Sequence, residues 1–72
     1  MQPSLADEMA FAVKLKALGI DTDAFTGLTT VEQRRDTFRA ALMPVDDVTF
    51  RLQNGRRITM AMEFARIYGI AP

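Results

Sequence analysis

Residues 48–60, Val48-Thr49-Phe50-Arg51-Leu52-Gln53-Asn54-Gly55-Arg56-Arg57-Ile58-Thr59-Met60, decide the fold class. Val48, Phe50 and Leu52 alternate with Thr49, Arg51 and Gln53, the period of a strand with one apolar face. Asn54-Gly55 marks a hairpin turn. Parity then selects the register. A two-residue turn pairs Leu52 with Arg57 and Phe50 with Thr59, which mixes the faces. A three-residue loop, Gln53-Asn54-Gly55, pairs Phe50 with Ile58 and Val48 with Met60. It gathers the apolar side chains on one face and places Gly55 at the left-handed bulge position. The three-residue loop is therefore expected.

An isolated hairpin is marginal in water and must lay its apolar face on something else. The flanking sequence supplies three helices. The first is expected over residues 4–18, with Ser4 as N-cap and Asp7 and Glu8 in the first turn, where the helix dipole favours acids. Gly19-Ile20 reads as a Schellman stop. Residues 19–29 form a loop, with Phe25 and Leu28 expected to plug it into the core. The second helix is expected over residues 30–43, opened by a capping box of Thr29 with Glu32 or Thr30 with Gln33. Val31, Phe38, Ala41 and Leu42 share its apolar face, and Pro44 is expected to end it by forbidding helical geometry at the preceding residue. A short third helix is expected over residues 60–68, stopped by Gly69-Ile70, with Ile70 covering Phe64 or Ala65. The order α-α-β-β-α defines a small α+β fold: two helices, a β-hairpin and a short C-terminal helix in one domain over residues 1–72.

The chain has 72 residues, 49% hydrophobic and 25% charged, with no cysteine and no histidine. A core this small rarely supplies more than ~3–5 kcal/mol net without a staple. Disulfides, thiolate metal sites and imidazole ligands are excluded by composition. No cofactor is expected. No apolar run approaches the ~18 residues of a membrane span, and MQPSLADEMA lacks the basic start of a signal peptide. A cytoplasmic protein without a membrane partner is expected. The zero net charge hides an asymmetry: acids outnumber bases over residues 1–47, whereas residues 48–72 hold Glu63 against Arg51, Arg56, Arg57 and Arg66.

The first helix is apolar nearly all round. Leu5, Met9 and Val13 form one stripe, and Phe11, Leu15 and Leu18 another; Glu8 and Lys16 stand isolated among apolar neighbours. A surface helix should carry one apolar stripe. Two stripes mean either burial on both sides, between the hairpin and the second helix, or an exposed partner-binding patch formed by Phe11, Leu15 and Leu18. Met1, Met9, Met60 and Met62 would add adaptable contact surface.

Catalytic chemistry has few candidates. Without His or Cys, the carboxylate pairs Asp21/Asp23 and Asp46/Asp47 remain, and no serine or lysine stands in a nucleophile motif. A non-enzymatic role is expected. The segment DTDAFTGLTTVE, from Asp21 to Glu32, partly matches a calcium loop, with Asp21, Asp23 and Glu32 as candidate ligands. Phe25 stands at the fifth position, where an oxygen ligand is wanted, and Thr26 where the turn wants glycine. A polar loop between helices is the favoured alternative, so no metal is expected. Arg51, Arg56 and Arg57 on the hairpin, with Arg66 on the last helix, are candidate electrostatic contacts. They equally describe the wet side of a sheet, and the sequence pI of 6.1 lies far below that of strong nucleic-acid domains.

Residues 57–72, RITMAMEFARIYGIAP, resemble the opening of a helix-turn-helix in small phage and mobile-element DNA-binding regulators. In that pattern a short strand precedes a Thr-capped helix ending in Ala-Arg-x-Tyr-Gly-Ile; Ala65, Arg66, Tyr68, Gly69 and Ile70 carry the match. The recognition helix of the pattern would follow Pro72, so the matching helix would be the scaffold. The resemblance implies a phage-type regulator acting on host transcription machinery. The expected function is therefore a small, non-enzymatic regulatory or inhibitory module that docks on another macromolecule, foremost a protein. Apolar residues of the first helix would anchor it, and hairpin arginines would steer the encounter. The alternatives are direct DNA binding through Arg51, Arg56, Arg57 and Arg66, and a structural subunit of a homo-oligomer.

Overall fold

The computed structural model describes the chain apart from residues 1, 2, 26, 28, 29, 71 and 72 and the side chain of Ala24. Met1, Leu28 and Thr29, invoked above, lie outside the described residues. The element order is α-α-β-β-α: α1 (Leu5–Ala17), α2 (Val31–Leu42), β1 (Thr49–Arg51), β2 (Arg57–Thr59) and α3 (Met60–Tyr68), with short 3-10 turns at Asp23–Phe25 and Met43–Val45. This is the small α+β architecture expected from the sequence.

Local chemistry explains the boundaries. The Ser4 hydroxyl accepts the Asp7 N–H and starts α1. At its far end the Gly19 N–H bonds the Lys16 carbonyl and the Ile20 N–H bonds that of Leu15, with Gly19 at φ +87°, as the Schellman motif requires. Thr30 and Gln33 form a reciprocal capping box at the start of α2. The end of α2 corrects one expectation. Met43 keeps right-handed helical geometry (φ −50°, ψ −44°) although Pro44 follows it. Proline lacks the N–H needed to extend the α ladder, so the chain tightens into a 3-10 turn rather than leaving helical geometry at once.

The hairpin pairs Phe50 with Ile58, flanked by Thr49 with Thr59 and Arg51 with Arg57. The Leu52 N–H bonds the Arg56 carbonyl and the Gly55 N–H bonds that of Leu52. Gly55 sits at φ +86°, so the loop is Gln53-Asn54-Gly55 with glycine in the left-handed position. The Met60 N–H reaches the Val48 carbonyl. Ile58 and Met60 are buried and Phe50 is half-buried, whereas Val48, at the edge, is exposed.

The core joins one face of each helix. Phe11 and Leu15 from α1, Phe38 and Leu42 from α2, and Met60, Phe64, Ile67 and Tyr68 from α3 form one buried cluster. The α3 set follows the one-face spacing of a surface helix. Phe11 meets Phe38 edge-on at 5.4 Å, and Phe25 lies 4.2 Å from Phe38, fixing the α1–α2 loop. Phe64 and Tyr68 stand 5.0 Å apart.

A polar cluster is buried against this core. Glu8 is 3% exposed. Its Oε2 accepts the Tyr68 hydroxyl at 2.7 Å and the Arg34 Nε–H at 3.0 Å. One carboxylate thus ties α1 to both α2 and α3. Burial, and then the hydrogen bond to Glu8 and its charge, push the Tyr68 phenol well above the usual tyrosine range.

Candidate functional site

The structure turns α1 the other way from the expected patch. Phe11 and Leu15 are 1% and 0% exposed. They build the core and are unavailable to a partner. Leu18, at the helix end, stays 39% exposed. The physical reason is aromatic packing together with Glu8: the Phe11 stripe meets Phe38 and Phe64, and its neighbour Glu8 finds two donors there. Burial on both sides is corrected too, because the other stripe is open.

That outward stripe is the candidate site. Leu5, Met9 and Val13 are 65%, 63% and 68% exposed. They recur at i, i+4 and i+8, one above another on a helix. Ala6, Ala10 and Ala17, all exposed, share this side, and Lys16 is its one charged group. Two clefts flank it. One of about 250 Å³ lies towards α2, lined by Leu5, Met9, Ala12, Phe25 and Phe38, with Glu8 and Arg34. The other, about 200 Å³, lies towards the hairpin between Ala17, Leu18, Val48 and Phe50. Lys14 caps that side with its ammonium 5.0 Å from the Phe50 ring centre. Met62, also invoked for contact, is 39% exposed on α3, whereas Met60 is 1% exposed and belongs to the core.

The four candidate arginines separate into two environments. Arg51, Arg56 and Arg57 are exposed on the hairpin. Arg66 is bound to Glu63, with an Asp7 oxygen at 3.9 Å. It lies across a cleft from the hairpin loop, lined also by Lys14 and Asn54. Glu63 holds the Arg66 guanidinium charged, raising its pKa further. Arg66 is therefore no member of a free basic cluster.

The calcium candidates are not brought into one ligand group: among the described residues no set of three or more acids is placed to hold a metal. Asp21 spends one oxygen on the Asp23 N–H at 2.9 Å, and Phe25 turns inward onto Phe38. Asp46 is engaged as well, accepting two Arg39 N–H groups at 2.9 and 3.2 Å. That bidentate bond lowers its pKa below the usual carboxylate value. Of the helix-turn-helix-like residues, Tyr68 is buried against Glu8 and Gly69 ends α3 at φ +65°. The Ile70 N–H bonds the Ala65 carbonyl, and Ile70 lines a cleft with Phe64 and Ala65.

No helix among the described residues is long and apolar enough to cross a membrane. Comparison with protein-family models, with curated proteins and with solved structures found no match.

Proposed function

We propose that the chain is a non-enzymatic binding module that docks on a protein partner through the outward face of α1 and modulates that partner. The observation that supports it is the row Leu5, Met9 and Val13, three large apolar side chains about two-thirds exposed on a capped helix. Exposed apolar patches of several hundred Å² mark interaction sites in soluble proteins. A fixed helix loses little further entropy on binding. The matching partner surface is an apolar groove that takes side chains at one-turn spacing, with a carboxylate at its rim to meet Lys16. Full burial of such side chains contributes ~1.5–3 kcal/mol each, before the cost of association.

The test is retention of a partner on two immobilised baits, the unaltered chain and Met9→Glu. Met9 is exposed, so Met9→Glu should change folding stability by no more than about 0.5 kcal/mol. It should weaken binding at least ~tenfold, because it buries an unpaired charge in the contact. A partner bound by the purified unaltered chain and lost with folded Met9→Glu supports the proposal. A partner retained equally by both baits overturns it.

A further inference from the structure

Every arginine outside the hairpin has a carboxylate oxygen at 3.1 Å or less: Arg34 with Glu8, Arg35 with Asp36, Arg39 with Asp46 and Arg66 with Glu63. Arg51, Arg56 and Arg57 have none among the described residues. Two of them stand face to face, because Arg51 is the cross-strand partner of Arg57. The ladder bonds fall on the neighbouring pairs, Leu52 with Arg56 and Val48 with Met60. Arg51 and Arg57 therefore occupy a non-hydrogen-bonded pair, where opposing side chains approach most closely. Like charges placed so are destabilising. Arg57 turns along the sheet and donates from Nη1 to Thr49 Oγ1 at 3.3 Å.

We propose that this outward face of the hairpin is a phosphate-binding site. Arg51 and Arg57 are its paired guanidiniums and Thr49 supplies a hydroxyl beside them, whereas Arg56, paired with Leu52, falls on the other face of the hairpin. A phosphate group between two guanidiniums turns a repulsive pair into two charge-assisted contacts, for which the planar fork of arginine is suited. The phosphate belongs to a small phosphorylated molecule or to a nucleic-acid backbone. The site shares no residue with the outward row of α1 and stands or falls separately from it.

Thermal unfolding in sodium phosphate and in sodium chloride of equal ionic strength tests the site. Phosphate several-fold above its dissociation constant should raise the midpoint by about 4–8 °C. Arg51→Gln and Arg57→Gln should each abolish that rise. In chloride at low ionic strength each should melt no lower than the unaltered chain, since one of two like charges has gone. Arg35→Gln, on α2, should keep the response. A second arm measures binding of a labelled random-sequence DNA duplex at two salt concentrations. Duplex binding that falls steeply with salt and is lost in both hairpin variants assigns the phosphate to a nucleic-acid backbone. A phosphate response without duplex binding assigns it to a small molecule. Equal midpoints in both salts without duplex binding overturn the proposal, as do hairpin variants that keep the response or melt lower in chloride.

Discussion

Phe11→Ala should leave most of the chain unfolded at room temperature. Phe11 is 1% exposed and contacts rings from both other helices, Phe38 at 5.4 Å and Phe64 at 6.3 Å. Truncating such a side chain costs about 3–5 kcal/mol, the lost transfer free energy plus the cavity left behind. A core of this size supplies about the same amount in total. Refilling the hole is difficult, because its walls are aromatic rings held by other contacts, Phe25 on Phe38 and Tyr68 on Phe64. Urea titration followed by circular dichroism checks it. A cooperative transition with an unshifted midpoint would mean that Phe11 does not sit in the core.

The second large effect is expected at Glu8→Ala. Removing this carboxylate takes the acceptor from a buried Tyr68 hydroxyl and the counter-charge from Arg34. Breaking a buried pair costs about 3–5 kcal/mol. The lower part of that range applies here, because the Arg34 side chain is 22% exposed and can turn to water. The same cluster sets a pH dependence. The folded chain holds the Tyr68 proton to higher pH than the unfolded chain, in which tyrosine ionises near about 10. The stabilisation is therefore complete below that value and is lost as pH rises through the folded-state pKa. Tyr68 is the chain's one tyrosine and tryptophan is absent, so tyrosinate absorbance reports on it alone. In the unaltered chain that absorbance should appear together with loss of helical signal. Ionisation near the ordinary value with the helices intact would contradict the cluster.

These expectations also show where sequence patterning reaches its limit. The hairpin register was legible because alternation has a period of two, and a one-residue slip exchanges the faces of Phe50 and Ile58. Ser4, Gly19 and Gly69 announced helix ends through short-range hydrogen bonds, and of the two capping boxes open at the start of α2 the structure forms that of Thr30 with Gln33. The facing of α1 was not legible. Both of its stripes are apolar, and the choice between them is made by Phe38, Phe64, Arg34 and Tyr68, which arrive from distant parts of the chain. The signal that could have decided it was Glu8. An acid flanked by Phe11, Ala12 and Leu15 is either a cost or a buried anchor, and its donors lie 26 and 60 residues away. Arg66 was misplaced for a different reason: its main partner Glu63 stands three residues earlier on the same helix and was legible from spacing, and only the more distant Asp7 is brought up by the docking of α3 on α1. The outward row Leu5, Met9 and Val13 was visible as a stripe, but its exposure was not.

The two-sidedness of α1 can be measured one side chain at a time, because the chain contains no cysteine and an introduced thiol reports on a single position. The decisive comparison is the rate of thiol modification of folded Met9→Cys and folded Leu15→Cys, each referred to its rate in denaturant. Position 9 should react as fast folded as unfolded. Position 15 should be protected by about tenfold or more, even after the cost of its truncated side chain. Equal protection at the two positions, or greater protection at position 9, would contradict the account, because the outward face of α1 would then not be free to bind.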